Sequence, residues 1–183
     1  AIRRQRQRSR RDRIDDLEKR TFQWFWDSAD PETGLIPDRY PSPQTFASVA
    51  SSGFGLTAYG IGVSRHYITR EQAVTRTLAS LRFLLSMPQN DSPTQAAGYH
   101  GFFYHFLNPE TGFRLNTDIE LSSIDTALLM QGVLFAYSFY DQNTPEEQEI
   151  RTLADTLYQR VAWQWMKRPD KSLSMGWDPE HKF

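Results

Sequence analysis

The 183-residue chain contains no cysteine. That single absence excludes a disulfide scaffold, a zinc–thiolate site and a cysteine nucleophile. It leaves the compartment open, because oxidising compartments also hold cysteine-free proteins. Long apolar runs are missing as well. Nothing approaches the roughly 18 consecutive apolar residues of a helical membrane span, and the start carries no apolar signal core. Excess charge of one sign is also lacking, with 21 Lys and Arg against 22 Asp and Glu. The balance is uneven along the chain. Residues 1–13 hold seven of the basic groups and one acid, Asp12, leaving 14 basic against 21 acidic groups in residues 14–183. The opening stretch reads as a basic arm, either solvated or the exposed start of a first helix, since a short basic run by itself names no partner. The acidic body is unsuited to a nucleic-acid surface.

What the chain does have is aromatics, 14% of its residues, within a hydrophobic share of 39%. That is too much for disorder and enough for the core of one domain. A repeat organises it. Asp30-Pro-Glu-Thr-Gly-Leu35 returns as Asn108-Pro-Glu-Thr-Gly-Phe113 and as Asp178-Pro-Glu-His-Lys-Phe183. Asx-Pro with glycine four positions on is turn chemistry. A second echo pairs the run opening at Ser51-Ser52 with the run opening at Ser122-Ser123. Two echoes of similar period predict a duplicated helical-hairpin unit.

Helical periodicity gives two kinds of helix. Ile14, Leu17, Thr21, Trp24 and Phe25 share one face over residues 12–28. Val74, Leu78, Leu81 and Leu85 do so after a Thr69–Gln72 capping box, and Ile150, Leu153, Leu157 and Val161 do so after Thr144-Pro145. Residues 48–66 and 122–140 are instead apolar almost all round, so they are expected to be buried. The alternation predicts an all-α fold: outer and inner helices of a partial (α/α)6 toroid, with small β-hairpin loops at the site end. The long linkers 29–46 and 87–121 all precede inner helices, so they should gather over the inner-helix N-termini. Residues 98–115 read as one such hairpin.

The segment Asn116-Thr-Asp118-Ile-Glu120-Leu-Ser122-Ser-Ile-Asp125 places three carboxylates at the mouth of an inner helix. Ser122-x-x-Asp125 has capping-box spacing, which assigns Asp125 first to the helix N-terminus. Glu120 has no such duty, and acid/base cleavage of a glycosidic bond needs two carboxyl groups flanking it. Glu120 is therefore the leading catalytic candidate, with Asp118 in reserve. Sugar rings stack on aromatic faces, and Tyr40, Phe46, Tyr99, Phe102, Phe103 and Tyr104 lie in or beside the site-end loops. Tyr99, Phe102 and Tyr104 are the substrate-binding candidates among them, together with Asp38, Arg39 and Asp125. Asp38 and Arg39 can also be a simple ion pair in a turn. His100 and His105 are five apart in an expected strand and so face opposite sides. No metal site and no cofactor are expected.

Five blocks carry a family resemblance: Gly34-Leu-Ile-Pro-Asp-Arg39, Ala50-Ser-Ser-Gly-Phe-Gly-Leu-Thr-Ala58, Gly101-Phe-Phe-Tyr-His-Phe106, Glu120-Leu-Ser-Ser-Ile-Asp-Thr-Ala-Leu-Leu129 and Met175-Gly-Trp-Asp-Pro-Glu180. In this order they resemble the bacterial glucoamylase-like (glycoamylase) domain. That family includes glycoside hydrolase family 144, inverting endo-β-1,2-glucanases, and domains of cyclic β-1,2-glucan synthases. The resemblance runs over residues 14–183. It implies an (α/α)6 toroid, an oligo- or polysaccharide substrate and an acidic site residue at Glu120, with Asp125 close by.

A full toroid has twelve helices and five are expected here, so residues 14–183 look like the N-terminal half of the domain, with inner-helix faces left without partners and an apolar patch exposed. The family's Gly-Tyr-Asn-Glu-like block, with the other acid, is not in the sequence. The remaining half, beyond Phe183, is thus an expected partner. The expected function is an inverting β-glucan hydrolase, periplasmic or secreted, incomplete in this stretch. The alternative is a non-catalytic carbohydrate-binding or scaffolding module using the same aromatic loops.

Overall fold

The structure is a computed structural model that describes residues 2–41 and 46–183, with side chains from Ser9 onward. Residues 42–45 of the first long linker, and Ala1 of the basic arm, lie outside the described residues. Helix α1 (Ile2–Ser28) carries the basic stretch and the first amphipathic segment as one continuous element.

At its end the first repeated turn closes. Asp30 Oδ1 accepts from the backbone N–H groups of Glu32 (2.9 Å) and Thr33 (2.8 Å), and Gly34 N–H returns to Asp30 O at 2.8 Å. Asn108 repeats this with Glu110 (2.9 Å), Thr111 (3.2 Å) and Gly112 (2.8 Å). The third copy also returns at 2.8 Å, from Lys182 to Asp178. The residue four positions on sits at φ 69°, 71° and 68° in the three copies, glycine in two and Lys182 in the last. One turn geometry is thus used three times, in the last copy by a residue that pays a left-handed strain.

Four further helices follow: α2 (Val49–Ser64), α3 (Arg70–Ser86), α4 (Ser123–Phe139) and α5 (Pro145–Arg160). α2 packs on α4, while α3 packs on α5 and α1 on α2, so the Gly-rich pair forms an inner layer under the amphipathic helices. Glycine explains how closely the inner pair approaches. A Cβ on Gly132 would lie 2.0 Å from the Gly53 carbonyl oxygen, and one on Gly53 would lie 2.6 Å from that of Leu128. The helix propensity lost at these glycines, about 1 kcal/mol each, is offset by main-chain packing that no other residue permits.

The outer helices are tied by caps and by ion pairs, among them Arg82 of α3 with Glu149 of α5 at 2.6 Å. Thr69 and Gln72 form the expected reciprocal capping box. Thr144 caps α5 by accepting from Glu147 N–H, but the Glu147 carboxylate does not reach back. It takes the Arg70 guanidinium at 2.7 and 2.9 Å and the Gln142 N–H at 2.8 Å. The Arg70 hydrogen bonds hold its carboxyl below the ordinary value of 4.5.

Two expectations need correction. The loops do more than form hairpins: strands β1 (Ile36–Pro37), β2 (Ala47–Ser48) and β5 (Phe106–Leu107) make one sheet, and β3 (Gly98–Tyr99), β4 (Phe102–Tyr104), β6 (Leu121–Ser122) and β7 (Gly176–Trp177) make another. Within the expected 98–115 hairpin, β3 pairs with β4 and Leu107 bridges Arg114, but the other pairings join segments farther apart in sequence, which local pattern could not reveal. Second, the inner helices are not buried all round. Phe54 and Ile61 of α2 are 49% and 41% exposed, and Ile124, Leu134 and Tyr137 of α4 are 54%, 40% and 43% exposed. On α1, Ile14 and Leu17 lie open beside Phe54 and Ile61, while Phe22, one helical step round, is the buried contact. The alternation thus recognised the layer, and its side left uncovered among the described residues is what half a toroid, with inner-helix faces lacking partners, is expected to show.

The site end is built where strand runs directly into helix. β2 ends at Ser48, the N-cap of α2, and β6 ends at Ser122, the N-cap of α4. The structural echo is therefore Ser48 with Ser122, not Ser51 with Ser122. In that register Ser51 of α2 stands where α4 has Asp125, since each N–H donates to its cap serine.

Candidate functional site

The β4–β6 ladder pairs Tyr104 with Leu121, which sets His105 opposite Glu120 one step on. His105 N–H donates to Glu120 O at 3.0 Å, and His105 O accepts from Val49 N–H at 3.4 Å. The two side chains meet: His105 Nδ1 lies 3.0 Å from Glu120 Oε1. On the other edge of the ring, Nε2 lies 3.6 Å from Asp125 Oδ1. Asp125 is not the reciprocal capping acid its spacing suggests. Ser122 caps α4 alone, and its hydroxyl donates to Asp125 Oδ2. The carboxylate is thereby turned toward His105, with its side chain 13% exposed against 45% for Glu120.

Glu120 has a shaped seat. A Cβ on Gly176 would lie 2.9 Å from Glu120 Cγ, so the glycine of the Met175-Gly-Trp block leaves the room that Glu120 fills. The loop leading to it is held by Arg114, whose side chain is fully buried. Arg114 donates to the carbonyls of Pro93 (3.1 Å), Thr117 (2.8 Å) and Ile119 (2.6 Å) and to Glu180 (2.9 Å), and its guanidinium lies 4.7 Å from the Tyr104 ring centroid. Buried charge is tolerated only with partners of this quality.

From the carboxylates an aromatic run leads outward. Phe106 stacks on His105 at 3.8 Å, Phe46 lies 4.8 Å from Phe106, and the Arg39 guanidinium lies 5.5 Å from the Phe46 centroid. Asp38 pairs with Arg39 at 2.9 Å. Phe46 also lines an open cleft of about 710 Å³ with Trp24, Asp30, Glu32, Tyr40 and Glu110, so two of the repeated turns border it.

The structure thus brings Glu120 and Asp125 together and connects Asp38 and Arg39 to them through two rings. It does not bring in the others. Asp118 is exposed on the preceding loop, where its N–H donates to Asn116 Oδ1. Phe102 and Tyr104 are fully buried, as is Phe103, because β4 is an inner strand flanked by β3 and β6. Phe102 packs edge-on against Trp163, and burial raises the Tyr104 hydroxyl. These rings are core and cannot stack on a sugar. Tyr99 is half-buried among His100, Trp165 and Trp177. Sequence reasoning passed over His105 and Phe106 as site residues. The signal was their place at the end of the aromatic block, one pairing step from Glu120.

His105, Glu120 and Asp125 are also the three groups whose ligand atoms converge within 4.8 Å among the described residues. The carboxylates face opposite ring nitrogens. Nδ1 is hydrogen-bonded to Glu120, whereas Nε2 and Asp125 Oδ1 stand at ion-pair rather than hydrogen-bond distance.

No protein-family model matches the chain. It is 31% identical over 173 residues to an exo-β-1,2-glucooligosaccharide sophorohydrolase (non-reducing end) of Parabacteroides distasonis, covering 91% of this chain and 23% of that protein. Among solved structures it is similar to a β-1,2-glucanase from Parabacteroides distasonis, with TM-score 0.80 and 29% identity over 92% of this chain and 24% of that one. It is similar too to an endo-β-1,2-glucanase from Chitinophaga pinensis, solved with sophorotriose and glucose, with TM-score 0.77 and 27% identity over 92% of this chain and 40% of that one. The chain therefore spans well under half the length of these relatives. The resemblance carried by the five sequence blocks holds in sequence and in three dimensions: the chain is similar, over nine-tenths of its length, to part of several glycoside hydrolases of β-1,2-glucans.

Proposed function

We propose that the chain forms part of a glycoside hydrolase domain that cleaves a β-1,2-glucan with inversion. The observation that carries this is Glu120. It is partly exposed, seated against Gly176 and hydrogen-bonded to His105, in a chain similar to hydrolases of that linkage. In this mechanism one carboxyl group protonates the leaving oxygen while another activates a water on the opposite face of the sugar. Glu120 supplies one of them. Asp125 lies too close, across one imidazole, for the pair to straddle a sugar and a water, since inverting pairs stand about 6.5–9.5 Å apart. The second acid thus belongs elsewhere in the complete domain.

Phe46 and Phe106 offer ring faces next to the carboxylates, and Asp38 and Arg39 offer hydroxyl partners beyond them. The domain as a whole is an (α/α)6 toroid, to which this chain contributes the outer helices α1, α3 and α5 and the inner helices α2 and α4. The open apolar side of α1, α2 and α4 supports further helices as its cover. The protein works where its glucan is, in the periplasm or outside the cell.

The test is hydrolysis of β-1,2-glucan by the full-length protein and by its Glu120→Gln variant. The variant should fold normally, because the amide is isosteric and the α4 cap is untouched. Its turnover should fall by about 10²–10⁴-fold, the usual contribution of a general acid or base. A binding module would instead hold the glucan equally well in both forms and release no product.

A further inference from the structure

Resting on that assignment of Glu120, we infer that His105 is a positioning residue that sets the orientation of the Glu120 carboxylate and links it to Asp125. Four observations converge on this. The imidazole has one carboxylate at each nitrogen, Glu120 at 3.0 Å from Nδ1 and Asp125 at 3.6 Å from Nε2. Its backbone is locked on both sides, by N–H to Glu120 O and by C=O from Val49 N–H. Its ring plane is held by Phe106, stacked at 3.8 Å with 23° between the planes. Asp125 in turn is anchored by the Ser122 hydroxyl at the start of α4. A flexible, half-exposed glutamate is thereby referred, through one rigid ring, to a fixed point on an inner helix.

The chemistry follows from the ring. A neutral imidazole donates from one nitrogen and accepts at the other, whereas imidazolium donates from both. Donation from Nδ1 holds Glu120 as a carboxylate in one orientation. The Nε2 edge stands 3.6 Å from Asp125 Oδ1, within ion-pair reach. Among the described residues, Glu120 and Asp125 are the charged groups within ion-pair reach of the ring. The ring itself is only 30% exposed at its side chain, and substrate meets Glu120 rather than His105.

The test compares His105→Ala, His105→Asn and His105→Gln in the full-length protein. The asparagine amide stands near Nδ1 and keeps a donor toward Glu120. The glutamine amide stands near Nε2 and keeps a donor toward Asp125. On β-1,2-glucan, His105→Ala should lose about 10²-fold in kcat, as misplacement of a reacting group by about 1 Å does, with KM nearly unchanged. His105→Asn should recover most of that loss, and His105→Gln little of it. Equal losses in all three variants, or a raised KM at unchanged kcat, would overturn the assignment. Crystal structures of the alanine and asparagine variants give a reading independent of activity: the Glu120 carboxylate should swing away in the first and keep its place in the second. If the wild-type protein cleaves no β-1,2-glucan, the proposed function fails by itself. Glu120 unmoved in His105→Ala would then sink the positioning role separately.

Discussion

Arg114 shows how much of the site depends on a side chain that touches neither Glu120 nor Asp125. Its guanidinium gathers the Pro93, Thr117 and Ile119 carbonyls with the Glu180 carboxylate, so three chain segments meet on one cation. Replacing it by Met should cost about 3–5 kcal/mol, because the carbonyls and the carboxylate lose their donor at once. The melting temperature should drop accordingly, and amide exchange should speed up over residues 116–120 ahead of the rest. Exchange that stays slow there would mean that the loop holds itself. Nothing in the Phe113-Arg-Leu115 stretch announces this role, since the partners come from residues 93, 117, 119 and 180. That Glu120 lies outside the α4 cap, by contrast, was legible from the Ser122-x-x-Asp125 spacing alone. The same spacing misled for Asp125, whose carboxylate goes sideways to a histidine 20 residues away in sequence.

The helices were readable wherever local order decides them. Thr69–Gln72 and Thr144-Pro145 mark helix starts by short-range hydrogen bonds, and both mark them correctly. The sheets were not, since two- and three-residue strands are fixed by partners up to 60 residues away, as Ala47 is by Leu107. Aromatic rings in β4 looked like ligand platforms for the same reason, as the strands covering them were invisible. Two predictions belong to this scale. Gly132→Ala drives a methyl group into the Gly53 carbonyl and should destabilise the fold by at least the 1–3 kcal/mol usual for overpacking, whereas Gly→Ala in an open helix stabilises it by about 1 kcal/mol. A melt at or above the wild-type temperature would show that α2 and α4 can part at no cost.

The second concerns acid. Glu147 has its folded value lowered by Arg70, so the pair stabilises the fold above the ordinary carboxylate value, and that share is lost as pH falls through the folded value. Arg70→Met should therefore be most harmful near pH 7. The gap between its melting temperature and that of the wild type should narrow steadily below pH 4.5. A gap independent of pH would assign the loss to the Arg70 packing on Phe139 and Tyr140 instead.

At the scale of the whole molecule, one side is dressed for water and the other is not. Ile14, Leu17, Phe54, Ile61, Ile124, Leu134 and Tyr137 are all at least 40% exposed on α1, α2 and α4. Monomeric surfaces seldom leave large contiguous apolar areas bare. The isolated 183-residue polypeptide should therefore bind a hydrophobic dye and self-associate, and light scattering with dye fluorescence measures both. The full-length protein, with that side covered, should do neither. A monodisperse, dye-free 183-residue polypeptide would mean that these side chains are accommodated without a cover.

The Gly53–Gly132 crossing has a consequence of another kind. Where two helices meet main chain to main chain, no side chain stands between them that could be made larger or smaller by degrees. The spacing of α2 and α4 therefore has a single setting, and with it the separation of Ser48 and Ser122, from which β2 and β6 lead back into the site. Divergence of such proteins has no gradual route through this axle. It is channelled into the loops that hang from it, where insertions and exchanges alter the cleft at Phe46 and leave the carboxylate anchorage as it was.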